Sequence, residues 1–240
     1  MGVLRWATRL HKWLALVVGV QILFWVLGGL VMTAVPIERV RGEHRLAEVE
    51  PQPLPLAALT PVQTAAAAAG VTPVKATLKS TPRGAVWVLE DAAEKTAEVD
   101  AVSGRPLQPL AEAEARTLAA RAYAGPGKVV RAVWFDQAPE ETNKKGPLWR
   151  VDFDDGDRTR FYLSPATGEV VSRRSDVWRF YDFFWRLHIL DFKAGENFNH
   201  PTLVLLTLVS LVVVVTGFVL LWIRLARDLK TRRELRASQG

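Results

Sequence analysis

Cysteine is absent from this 240-residue chain. Disulfides, thiolate catalysis, zinc–thiolate sites and covalent haem attachment through a CxxCH motif are therefore excluded. No GxSxG elbow, HExxH helix or glycine-rich phosphate loop occurs, so the matching hydrolase, metalloprotease and nucleotide-binding chemistries lose their sequence support. A nicotinamide or flavin fingerprint is missing too. Four histidines, His11, His44, His188 and His200, are left as the best candidates for metal or cofactor chemistry.

The folded middle also lacks a charge of one sign. The net charge is +6. Residues 1–13 carry Arg5, Arg9 and Lys12 and no acid, and residues 224–240 carry six Arg or Lys against Asp228 and Glu234. Between them, 22 basic side chains face 23 acidic ones. Nucleic-acid binding needs a basic face on the folded part, and here the excess sits in the tails.

Two long apolar runs dominate what is present. Residues 14–35 and 202–223 are uncharged, each of 22 residues. As helices they reach roughly 33 Å, enough for a hydrocarbon core of about 30 Å. The first run exceeds the about 7–15 residues of a signal-peptide core and reads as an uncleaved anchor. Basic flanks on both terminal sides place residues 1–13 and 224–240 in the cytoplasm and 36–200 outside it, in a bacterium the periplasm.

The chain between the spans divides further. Residues 36–56 form a proline-rich linker. Helices are predicted at 57–69 and 110–123, and strands at 74–79, 85–89, 96–101, 128–135, 148–153, 159–163 and 169–172. Trp149, Val151 and Phe153 alternate with Arg150, Asp152 and Asp154, the period of a half-buried strand. Trp87 precedes Gly104 of DAVSGRPL by 17 residues, and Trp149 precedes Gly168 of SPATGEVV by 19. This suggests two repeats, 57–108 and 109–175, each a helix followed by an antiparallel meander closing on a Ser/Thr-Gly turn. Residues 176–200 begin with DVWRFYDFFWRLHIL, an aromatic stretch that reads as an interfacial helix leading to the span at 201–223. The fold class is an α+β membrane protein, with two transmembrane helices flanking an α+β domain.

FYLSPATGEVVSRRS resembles a PepSY domain: a hydrophobic strand, a Thr-Gly turn and another strand. Arg9-Leu10-His11-Lys12-Trp13 at the first span is similar to the opening of the PepSY-associated transmembrane (PepSY-TM) family. Leu187-His188 and Thr216-Gly217…Leu221-Trp222 are similar to the motifs around its second span. Larger members of that family have four membrane helices, and some resemble or are haem-containing reductases of ferric siderophores in the inner membrane. The resemblance implies haem b on histidines, a ferric or siderophore reductase or an electron-transfer subunit of one, and a ferric siderophore as substrate. Because PepSY domains elsewhere inhibit or regulate proteases, it equally implies a non-enzymatic, membrane-anchored module that binds a peptide, protease or envelope partner.

The candidate cofactor and haem-iron ligands are His11, His188 and His200. His11 lies at the cytoplasmic end of the first span and the other two at the outer end of the second, so roughly a bilayer thickness keeps His11 from sharing a haem with either. His188 and His200 could pair, or histidines could pair across a homodimer, which restores the four-helix count. Ala15 and Gly19 follow His11 at i+4 and i+8, leaving room for a flat macrocycle or for close helix packing. Each histidine has a plainer role open to it: His11 as one more cytoplasmic positive group, His188 as an interfacial side chain, His200 as a cap on the second span. His44, in RGEHRLAE, reads as solvated. Asp152, Asp154, Asp155 and Asp157 around Gly156 look calcium-like, but position twelve is Leu163 rather than Glu, and a hairpin turn accounts for them. Gln21, Thr207 and Ser210 are expected to hydrogen-bond a neighbouring helix or their own backbone.

Overall fold

The structure is a computed structural model. It describes residues 2–48, 53–192, 197 and 199–237, with the side chains of 2–11, 219, 220, 223, 232, 233 and 235–237 outside the description. The chain divides into two units, Met1–Ala34 with Tyr181–Gly240, and Val35–Phe180.

The second unit is α+β. Its entry segment holds helix α2 (Ile37–Val40) and a 3-10 turn at Glu43–Arg45. Helix α3 (Val62–Ala69) then precedes a three-stranded antiparallel sheet, β1 (Lys75–Thr81), β2 (Gly84–Glu90) and β3 (Thr96–Asp100), in chain order. Helix α4 (Glu112–Ala122) precedes a four-stranded sheet, β4 (Val129–Phe135), β5 (Leu148–Phe153), β6 (Arg160–Leu163) and β7 (Val170–Arg174), also in chain order.

Helix α3 is shorter than the 57–69 expected from sequence. Pro61 has no amide hydrogen and an extended ψ of 138°, so the α-helix starts after it, and Leu56–Ala58 form a separate 3-10 turn. Five consecutive alanines then favour helix, and Gly70, at φ 65°, ends it by turning left-handed. Ala65 and Ala66 of α3 are buried against Leu89 and Val99. Ala115, Leu118 and Ala119 of α4 share one helical face and are buried in a core with Trp149, Val151, Phe153, Phe161 and Leu163. The alternation expected of β5 is observed, its even-numbered charged residues lying on the other face.

The two sheets carry matching contacts. Trp87 Nε1 donates to the carbonyl of Thr60 at 3.1 Å, and Trp149 Nε1 to that of Leu110 at 3.0 Å; both acceptors stand two residues before a helix. In the turns, the amide of Gly104 donates to Asp100 O and that of Gly168 to Ser164 O. The side chains of Asp100 and Ser164 each accept from the amide three residues on. Both glycines have φ near +70°, at 69° and 72°, where a side chain is strained. A Cβ on Gly168 would also run into Leu118 Cδ1.

The first unit is helical. Helix α1 (Gly2–Ala34) and helix α6 (Pro201–Ala237) pack together, joined by the C-terminal part of α5 (Asp176–Ile189). Both contain a stretch long and apolar enough to cross a membrane, Lys12–Ala34 and Pro201–Phe218. Helix α6 continues well beyond residue 223, because the basic tail consists largely of good helix formers with an i,i+4 Lys230–Glu234 pair. Val18, Gln21 and Gly28 form a narrow buried seam on α1, whereas Leu23, Val26 and Leu30 on its other faces are exposed.

Candidate functional site

The last turn of any helix leaves carbonyls without intrahelical donors. Helix α5 has two side chains from elsewhere filling that gap. Trp25 Nε1 of α1 donates to the carbonyl of His188 at 2.7 Å. His200 Nε2 donates to the carbonyl of Ile189 at 2.9 Å. The other ring nitrogen of His200, Nδ1, accepts from the amide of Leu203 at 3.2 Å. That makes His200 the N-cap of α6, with Pro201 at the first helical position, where its missing N–H costs nothing. These partners fix the tautomer: the proton is on Nε2 and the lone pair on Nδ1.

His188 is placed differently. Its Nδ1 is buried and has no hydrogen-bond partner among the described residues. The ring packs against Gly28, where a Cβ would sit 3.3 Å from that nitrogen and 3.3 Å from Phe184 O. The absence of a side chain at Gly28 is what lets α1 and α5 approach so closely. Trp25, Trp185, His188, Ile189, Leu203 and Thr207 line a cleft of about 510 Å³ at this junction. The walls are apolar except for the imidazole and one hydroxyl. This lining suits a flat apolar group, and His200 has no ring nitrogen left to ligate one, because both are engaged.

His11 lies in α1, but its side chain is outside the described ones. It precedes Gly28 by 17 residues, roughly 26 Å along a helix, so it stands apart from the cleft. Gly19, which follows it on the same face, has nothing among the described residues within 4 Å of an added Cβ. Ser210 donates to Leu206 O at 2.7 Å, the back-bonding expected of a hydroxyl in an apolar helix. Gln21 is buried, and its Nε2 has no hydrogen-bond partner among the described residues.

The family model described as PepSY-associated TM region matches residues 8–239. The chain belongs to the PepSY-associated TM family. The match takes in both apolar helices, both sheets and the three-helix junction. No curated protein and no solved structure matches the chain.

This PepSY-associated TM protein has a second polar centre, in the sheet-containing unit, that the sequence reading missed. The aspartates of the β5–β6 turn are structural there. Asp155 accepts from Tyr123 Oη at 2.6 Å, from the Thr159 amide at 2.8 Å and from Thr159 Oγ1 at 2.5 Å. Arg45 lies 3.8 Å from Asp155 and pairs with Asp157 at 2.6 Å. Burial alone would raise the Asp155 pKa, but the Thr159 and Tyr123 hydrogen bonds and the Arg45 charge bring it below the ordinary value. Burial and the Asp155 carboxylate push the Tyr123 phenol up to about 12. Among the described residues no group of three or more His, Cys, Asp or Glu converges as a metal site. His44 is exposed, as its charged surroundings predict. No local pattern could have revealed this centre, since Arg45 and Asp157 are 112 residues apart.

Proposed function

We propose that this protein is an inner-membrane, haem-binding redox subunit linked to the reduction of ferric siderophores. Both termini lie in the cytoplasm and the α+β unit lies in the periplasm as two PepSY-like repeats. The observation that carries the reading is His188: its imidazole lines an apolar cleft between membrane-type helices, and its Nδ1 has no hydrogen-bond partner among the described residues. Haem b held there would supply one-electron transfer between a donor, another protein or a quinol, and the ferric complex.

The chain's own residues supply the setting. His188 offers one nitrogen lone pair. Trp25 holds the backbone that carries it, and Gly28 leaves room for its ring. Trp185 and Leu203 exclude water, which raises the strength of any charge interaction inside. His200, with both nitrogens in use, closes the connection between α5 and α6 and so acts on His188 by position. A second ligand then comes from another copy of the chain or another membrane protein, and His11 pairs with its own copy at the opposite face.

The test is the visible spectrum of the detergent-purified protein, oxidised and dithionite-reduced, after expression with ample haem. A Soret band and a sharp reduced α-band that disappear in His188→Ala support the reading. A colourless protein overturns it. Crosslinking in membranes tests the dimer, and a strict monomer leaves His11 without a partner.

A second reading is a non-enzymatic PepSY module that docks a peptide, protease or envelope protein. It is favoured by a groove of about 520 Å³ in the α+β unit, lined by Glu98 of one sheet, Leu148 and Val171 of the other, and Leu107, Lys144 and Lys145 from the connections. A haem-free protein that co-purifies with a periplasmic partner, and loses it on Lys144→Glu with Lys145→Glu, selects this reading.

A further inference from the structure

Helix α5 presents three stripes at the 100° spacing of an α-helix. Trp185, His188 and Ile189 face the cleft. Arg179, Asp182 and Arg186 form a charged stripe next to them. Phe180, Phe183 and Leu187 fall together on the remaining side. Phe180 is 53% exposed and Phe183 57%, and the Phe183 ring stacks edge-on with Phe184 at 5.3 Å. Soluble surfaces seldom show adjacent phenylalanines more than half open to solvent.

Every charge on the stripe faces one of opposite sign. Arg186 pairs with Asp182 at 2.6 Å, one turn apart, Arg179 with Asp176 at 3.0 Å and with Glu141 at 3.7 Å, and Asp176 with Arg158 at 2.7 Å. The helix therefore offers no net field to an anionic surface, and its exposed character is aromatic. An amphipathic helix with an aromatic face, covalently continuous with an apolar span beginning at Pro201, has one natural covering, the headgroup–acyl boundary of the bilayer.

We infer that the Phe180–Phe183 face of α5 is a lipid-binding surface that embeds in the bilayer interface, and that its binding is apolar and indifferent to anionic lipid. The inference is independent of haem. It makes α5 a lateral anchor that holds the main chain of His188 at a fixed depth.

The absence of native cysteine allows a direct test. Single-cysteine variants Phe180→Cys, Phe183→Cys and, as a water-exposed reference on β4, Val130→Cys are spin-labelled in the full chain and reconstituted into phosphatidylcholine vesicles. The expected result is a several-fold higher ratio of oxygen to nickel-chelate collisions at 180 and 183 than at 130, unchanged when phosphatidylglycerol is added. Collision ratios equal to those at 130 overturn the inference. Low collision rates with both reagents also overturn it, since the face is then covered by protein, and a shift with phosphatidylglycerol overturns the apolar mode. Wild-type protein labelled in the same vesicles with a lipid-partitioned phenyl diazirine guards against misfolded variants. Label on the peptide containing Phe180 and Phe183 supports the inference, and its absence there, with label present on α6, sinks it.

Discussion

The indole of Trp25 donates a 2.7 Å hydrogen bond to the main-chain carbonyl of His188, joining residues 163 positions apart. It satisfies a carbonyl in the last turn of α5 that has no helical donor. Trp25→Phe keeps an aromatic side chain, smaller than the indole, and removes the donor. The expected cost is about 1–3 kcal/mol, the penalty for a buried acceptor left unsatisfied. Thermal unfolding in detergent checks it: a lower Tm for Trp25→Phe is expected, and an unchanged Tm shows that the bond contributes nothing.

His200 serves two helices at once, and its two roles are separable. Asparagine is a good N-cap but is too short to reach Ile189 as well. His200→Ala is expected to lose about 1–2 kcal/mol, and His200→Asn about half of that. Equal Tm losses in the two variants would show that the cap on α6 is worth nothing beside the Ile189 contact. In haem-loaded protein, His200→Ala is expected to retain the reduced α-band that His188→Ala loses.

Gly28 and Gly29 are neighbours with opposite surroundings. A Cβ at 28 meets His188 Nδ1 and Phe184 O, both at 3.3 Å, while one at 29 meets nothing within 4 Å among the described residues. Gly28→Ala is therefore expected to push α1 from α5 and lower Tm, and Gly29→Ala to be silent or slightly stabilising through helix propensity. The order of the two melting temperatures decides the point.

Asp155 sets a pH dependence with a definite sign. Its folded-state pKa lies below the ordinary 3.8. The unfolded chain thus binds the proton first as pH falls, so the stabilisation is present above about pH 4 and is lost on descending through the lowered value. Tyr123 acts at the other end. Its phenol, raised from 10.0 to about 12, favours the folded protein below pH 10 and loses that effect as pH rises towards 12. The stability difference between wild type and Asp155→Asn, followed by near-UV circular dichroism, should be largest near neutrality and shrink at both ends. A difference that is flat across pH would remove the ionised Asp155 from the account.

Gly168 adopts φ 72°, and a Cβ there would enter the space of Leu118. Gly168→Ala combines backbone strain with overpacking, each of about 1–3 kcal/mol. Gly146, at φ 80° with open surroundings, carries the strain alone, so Gly146→Ala should unfold at a higher temperature than Gly168→Ala.

Much of this was legible because it is local. Twenty-two uncharged residues in a row must be buried in lipid or protein, and no tertiary knowledge is needed to see it. The alternation of Trp149, Val151 and Phe153 marks a strand with one wet face, and a glycine after Ser103 or Thr167 marks a turn with positive φ. Helix α3 starts later than its alanine-rich run suggests, because the fixed φ and missing amide of Pro61 prevail over the helix propensity of the residues before it.

The sequence alone determined the two apolar helices, the α+β middle, the net positive charge of the tails and the histidines as the candidates for chemistry, since each follows from residue type and short-range period. Only the tertiary structure decided what those histidines can do. It engaged both ring nitrogens of His200, buried a nitrogen of His188 against Gly28, and supplied the partners, Tyr123, Thr159 and Arg45, that fasten Asp155 and Asp157 in the hairpin turn expected there. The reason is physical: the state of a polar group depends on which donors and acceptors surround it, and the fold brings these together from separations of a few residues, as for Thr159 and Asp155, to more than a hundred, as for Arg45 and Asp157.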